Sequence, residues 1–311
     1  MKILTDTFCK KTEKELNESL SSLDENEIKH NLLEIIQDFA RLIKIQLVSN
    51  SPKMLEENRK LFTEFCQRNY NRWNIAFDLL ETFIVICTEA GEEFNNSYRK
   101  KAVEENNLMF DLIVRHHARA CLICQEILCL LKSGFADGAH ARWRALHEVT
   151  VTAIFIAKYG QECAERFYLY DIVESYVGMK QHKKYEHRLN EKGPTQEELF
   201  ECKKSYEQLI KKYGKSFGKS YGWASYIIRK ERVTFTDIEE DVKLDHMRPY
   251  YKLASQNIHA GTKGIYNQLS MCESLEDILL TGQSNSGMTD PAHASAISLA
   301  QITIELTQIA S

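Results

Sequence analysis

The stretch Gly134–Gly160, GFADGAHARWRALHEVTVTAIFIAKYG, places two arginines, two histidines and a glutamate directly before an almost wholly apolar run. A helix that is hydrophobic all round sits at the centre of a fold. Charge on its N-terminal half is then tolerated only where it is paired or serves a site. At helical spacing Asp137, His140, Arg144, His147 and Val151 share a face, with Glu148 four residues after Arg144. Arg142 and His147 lie about 140° apart on the same cylinder, so they converge on one ligand only from the flanks or across an interface. Two readings follow. Arg144 and Glu148 form an internal salt bridge beside a buried, hydrogen-bonded histidine, or Arg142, Arg144, His147 and Glu148 carry out catalysis.

A second polar set, Arg248, Tyr251, Ser255 and His259, recurs at intervals of three or four in HMRPYYKLASQNIHAGTKG. Pro249 suits a first turn and Gly261 a stop, so the spacing predicts a helix from about 249 to 260. Ser255 and His259 at i, i+4 suit either a hydroxyl–imidazole pair or ordinary local hydrogen bonds. With His140 and Tyr251 they are candidates for a pocket supporting the first set, and the two polar helices are expected to pack face to face because each needs partners for its polar groups.

Only 13 Gly and 4 Pro punctuate 311 residues, and apolar positions recur at helical spacing almost throughout. The fold expected is all-α: a multi-helix bundle with a central buried helix and an N-terminal helical arm. The arm is placed at 1–51, with Ile28, Leu32, Ile35, Ile36, Phe39, Leu42 and Ile43 as its apolar stripe and Ser49-Asn50-Ser51-Pro52 as its stop. The bundle is placed at 52–311. Lys132-Ser133-Gly134 reads as a helix end, Asp137 as the cap of the central helix, Tyr159-Gly160 as its stop, and 161–190 and 195–213 as further helices. VTFTDI at 233–238 reads as a loop or a stray strand, and Asp290-Pro291 opens the last helix.

Nine cysteines, an odd number scattered through apolar helical patterns, fit reduced thiols. Cys121 and Cys124 form a CxxC that shares a face with His117, but no second pair completes a zinc site, so no metal and no cofactor is expected. No apolar run is long enough to span a bilayer, which leads to the expectation of a cytoplasmic protein without a membrane partner.

Net charge is −4, yet Lys180–Arg232 holds 14 Lys+Arg against 7 Asp+Glu. Lys183, Lys184, Lys211, Lys212 and Lys215, interleaved with tyrosines and Phe217, form either a phosphate-tracking surface or a solvated helical face.

Taken together, GFADGAHARWRALHE, YG with AERF and Tyr170, YYKLASQNIHAGTKG and TGQSNSGMTDPAH resemble an uncharacterised bacterial family of helical domains, over roughly residues 105–305. Arg142-Trp143-Arg144-Ala145-Leu146-His147 also resembles the Arg-x(4-6)-His signature of HEPN ribonucleases, helical toxins and antiviral effectors, although Trp143 stands where that pattern has a polar residue. That second resemblance implies a metal-independent endoribonuclease of bacterial defence. In it an arginine stabilises the transition-state phosphate and His147 transfers protons at the 2′-hydroxyl or leaving oxygen. The alternatives are a non-enzymatic interaction or oligomerisation module, as a homodimer or bound to another defence protein, and a nucleotide or small-molecule sensor.

Overall fold

The computed structural model describes residues 25–259, 261–276 and 278–309. Among them are nine α-helices and no strand: α1 Glu25–Glu104, α2 Leu108–Lys132, α3 Ala136–Leu189, α4 Gln196–Tyr213, α5 Ser225–Ile228, α6 Phe235–Asp241, α7 Arg248–Gln256, α8 Thr262–Tyr266 and α9 Thr289–Gln308. The fold is all-α, and no helix among the described residues is long and apolar enough to cross a membrane.

The first helix does not stop at Ser49–Pro52. Pro52 lies inside α1, where it lacks the N–H that would bond the Val48 carbonyl one turn back. The Ser51 hydroxyl donates to that carbonyl at 3.1 Å, and Ser49 does the same for Gln46 at 3.1 Å. The Ser51 hydroxyl, read as a turn former, thus supplies the contact that the proline withholds. Two compact units divide between Gln67 and Arg68. In the first, the described arm of α1 exposes Leu32, Ile36, Leu47, Met54 and Leu61.

The second unit is built on α3. Ala139, Trp143, Leu146, Val151, Ala153, Phe155 and Ile156 are fully buried where α3 packs on α2, α9, α4, α6 and α7. Opposite Trp143 the last helix carries small residues. The Trp143 indole N–H lies 3.0 Å from the Ala294 carbonyl and 3.1 Å from the Ser298 hydroxyl, so the largest buried side chain is also hydrogen-bonded. The later part of α1 packs Phe77, Leu80, Ile84, Cys87 and Phe94 into the core, a three-four spacing. Gly91 continues that seam, and a β-carbon there would stand 2.5 Å from the His117 ring, so the absence of a side chain is what lets α1 approach α2.

Helix ends follow local chemistry. The Asn107 side chain caps α2 at Phe110 N (2.9 Å). At the other end Asn69 Nδ2, buried on α1, donates to the Leu131 and Lys132 carbonyls at 2.8 and 3.0 Å. Gly134 takes φ 83° at the expected stop. Asp137 is not the cap of α3, since Phe135 holds that position. Its carboxylate instead accepts Leu269 N at 2.7 Å, Ser270 N at 3.0 Å and the Ser270 hydroxyl, tying a distant loop to the first turn. Gly160 breaks the helix where the stop was expected: at φ 72°, ψ −155° its backbone is non-helical, so α3 is two helical stretches joined at a kink, the second running on to Leu189. Segment 233–238 is neither loop nor strand beyond its start: Thr234 and Asp237 form a reciprocal capping box that launches α6. Helix α7 ends at Gln256, short of 260.

Cys121 and Cys124 are core thiols, raised by burial. The Cys121 sulfur sits 3.8 Å from His117 Nδ1, and no group of metal-ligating side chains is found among the described residues.

Trp143→Ala is expected to lower unfolding free energy by about 3–5 kcal/mol, whereas Leu122→Ala, at a position 53% exposed, changes it by less than about 0.5 kcal/mol. Urea unfolding followed by circular dichroism measures both, and equal effects would refute the assignment of α3 as the centre of the core.

Candidate functional site

Once the capping box sets the register of α6, Phe235, Ile238 and Glu239 turn inward together. Glu239 is thereby carried, fully buried, to the central helix. Its Oε1 lies 2.8 Å from His147 Nε2, and both side chains are 0% exposed. Its other oxygen pairs with the Arg248 guanidinium at the start of α7. One carboxylate therefore bridges three helices. With Glu239 already compensated by Arg248, a proton on His147 would leave net positive charge in the core. Burial, followed by the nearby Arg248 charge, pulls the His147 imidazole down to about 4. The neutral ring donates Nε2–H to the carboxylate, and its Nδ1 has no partner among the described residues.

Next to this buried pair lies a half-exposed one. Arg144 Nη2 is 2.9 Å from Glu148 Oε1, with side chains 28% and 32% exposed. The Tyr251 hydroxyl donates to the same oxygen, and burial and that contact push the phenol up. The Tyr251 ring lies beside two guanidiniums, Arg144 at 4.7 Å and Arg248 at 5.1 Å from its centroid. The His147 ring is 5.9 Å from both Phe235 and Tyr251. Two arginines, two glutamates, a neutral histidine and a phenol make a charge-balanced network. It fixes α6 and α7 on α3, and in this arrangement neither nitrogen of His147 faces solvent.

The two polar helices therefore meet, but only through part of each face. Tyr251 reaches Arg144 and Glu148. Ser255 does not pair with His259: its hydroxyl donates to the Tyr251 carbonyl at 2.8 Å, and His259 lies exposed beyond the end of α7. Arg142 turns to Glu126 on α2 and is no part of the network. His140 stacks on Trp143 with centroids 5.5 Å apart, fully buried, without a partner for either ring nitrogen among the described residues and held neutral by burial.

The basic segment is divided. Lys183 pairs with Glu186 at 2.9 Å, Lys184 lies over Tyr185 and Lys212 over Tyr213. Lys184, Lys211, Lys212 and Lys215 are exposed. The aromatic residues between them are mostly committed inward: Phe217 is buried with Tyr213 on it at 4.8 Å, and Tyr206 packs on Tyr176 at 4.7 Å. A base-stacking wall is therefore not presented by Phe217.

Glu239 was missed by sequence reasoning because it sits in the acidic run Glu239-Glu240-Asp241, which reads as a solvated face. The signal was Thr234 followed three residues later by Asp237. Taken as a capping box, it puts Phe235, Ile238, Glu239 and Val242 on one apolar stripe.

Residues 110–277 match the model of a family of unknown function, DUF5677, and the chain belongs to it. No curated protein and no solved structure matches the chain.

Removing Glu239 strands both His147 and Arg248, so Glu239→Ala is expected to cost about 3–5 kcal/mol. Glu148→Ala, in a pair about one-third exposed, should cost about 1 kcal/mol. Chemical denaturation of both variants decides, and a Glu239→Ala loss no larger than that of Glu148→Ala would contradict the assignment.

Proposed function

We propose that this DUF5677 protein is a self-associating helical scaffold whose N-terminal arm pairs with the arm of a second copy. The observation that carries this reading is the seam on the arm. Ala40, Leu47, Met54 and Leu61 recur every seven residues, and Ile36, Ile43 and Asn50 repeat four residues before the first three of them. That is the spacing of a coiled-coil interface. Leu47, Met54 and Leu61 are 60%, 50% and 63% exposed on the chain alone. A long helix with such a stripe gains most of its stability from packing against another surface. A second copy supplies the same seam in register, with Asn50 and, one heptad on, Glu57 as its polar positions. Between Glu25 and Gln67 there are 6 basic and 7 acidic residues, so like arms meet without net repulsion.

In this reading the His147–Glu239–Arg248 network is structural. The ribonuclease reading is supported by the Arg142–His147 spacing and the basic segment. It needs His147 to exchange Glu239 for a substrate hydroxyl, and it stands or falls on whether chelator-treated protein cleaves RNA to 2′,3′-cyclic ends and His147→Ala does not.

Sedimentation of the full chain at micromolar concentration is expected to give a dimer. Leu47→Lys with Met54→Lys should give a monomer that keeps the melting transition of the second unit. A wild-type monomer, or a double variant that remains dimeric, would overturn the proposal.

A further inference from the structure

Residues from both helical stretches flanking Gly160 border one recess. Residues before Gly160 (Thr152) and after it (Phe167–Ile172 and Glu174), together with Leu108–Arg115 on α2 and the Ser220–Trp223 turn, enclose a groove of about 1020 Å³. That volume is at the scale of small-molecule sites. None of the six side chains of the ionic network lines the groove, and Tyr221, which does, packs on Phe235 beside that network at 6.3 Å.

Three properties of the groove point to one ligand class. Its walls are aromatic: Phe167, Tyr168, Tyr170, Tyr221 and Trp223 all line it. The Trp223 indole is set by edge contacts at 5.5 Å to Phe155 and 5.1 Å to Phe167. Tyr170 is fixed by its hydroxyl, which donates to the Lys219 carbonyl at 2.6 Å. Its charge is unbalanced. On the α2 side Asp111 is occupied, taking Arg99 at 2.5 Å and Arg115 at 2.6 Å. On the α3 side Asp171 and Glu174, one turn apart, have no cationic partner among the described residues. Partial burial and the neighbouring Asp171 hold the Glu174 carboxyl above its ordinary range. Finally, Trp223 is 3% exposed and lines the groove, yet its indole N–H has no acceptor among the described residues.

We propose that this groove binds a small organic cation, an alkylammonium or guanidinium compound that also carries a hydrogen-bond acceptor. The cation lies against the aromatic wall, where ring quadrupoles attract positive charge, and is held by Asp171 and Glu174 through charge-assisted hydrogen bonds. The acceptor takes the Trp223 indole N–H. Tyr221, which lines the groove, packs on Phe235 with centroids 6.3 Å apart, so the ligand would sit one side chain away from the ring that touches His147. The inference does not depend on self-association, because every residue used lies in the second unit.

Calorimetric titration of the full chain with choline and with agmatine tests it, with 3,3-dimethylbutanol as the uncharged isostere of choline. Saturable one-to-one binding of at least one cation is expected, without binding of the isostere. Asp171→Asn with Glu174→Gln, both at exposed positions, should weaken it at least about tenfold, the scale of one charge-assisted contact. Tyr168→Ala should weaken it as well while the dimer persists. Absence of saturable binding for both cations, equal binding of the isostere, or affinity unchanged in the double variant would each overturn the proposal. Tighter binding of a lysine-rich peptide than of either cation would also overturn it, as the groove would then take a protein side chain.

Discussion

A single buried carboxylate organises the second unit. Glu239 is completely removed from solvent, and a bare charge there would not be tolerated. His147 on one side and Arg248 on the other make it possible. That requirement fixes three helices at once: α3 must present His147, α6 must keep the register set by Thr234, and α7 must begin at Arg248. Tyr251 follows one turn later, close to both Arg144 and Arg248, and returns a hydrogen bond to Glu148. The polar half of the central helix is thus neither wasted charge nor an open cleft. It is the place where short helices with small apolar faces of their own are attached to the core.

Much of the architecture was legible in the residues. Sparse Gly and Pro with pervasive helical periodicity led to an all-α fold, and the apolar run after His147 marked the central helix. The meeting of the two polar segments followed from their need for partners, and Tyr251 against Arg144 and Glu148 fulfils it. What was not legible depended on contacts distant in sequence or on local substitution of one donor for another. Pro52 read as a stop because its missing N–H was counted and the Ser51 hydroxyl that replaces it was not. Gly160, by contrast, read as a helix stop and is one: its positive φ breaks the helix, and a second stretch starts beyond the kink. Asp137 looked like a cap because aspartate favours that role, but its carboxylate is taken by a loop more than a hundred residues away. In the candidate site, spacing alone could not tell Arg142, which faces Glu126, from Arg144, which faces the network. Nor could it show that Ser255 spends its hydroxyl on its own helix.

The same bookkeeping of partners separates the structural parts of the molecule from those with something left to bind. Around Glu239 the charges balance. On the arm, apolar side chains at coiled-coil spacing remain in water, and in the groove two carboxylates and an indole N–H have no partner among the described residues. Tyr221 lines the groove and packs on Phe235, the ring that also touches His147. The break at Gly160 thus lies between the junction around Glu239 and a stretch that, with Thr152 before the break, borders the recess.

The state of His147 tests this account most directly. Assigning its imidazole resonances by comparison with His147→Gln and following them with pH reads the group itself. The account predicts a neutral ring whose shifts stay constant from neutrality down through pH 5.5 and move only near the value of about 4 set by burial and Arg248. An imidazole that titrates with a midpoint near the ordinary 6.5 would contradict it, since that histidine would be in contact with water and Glu239 could not be the buried pivot of the fold.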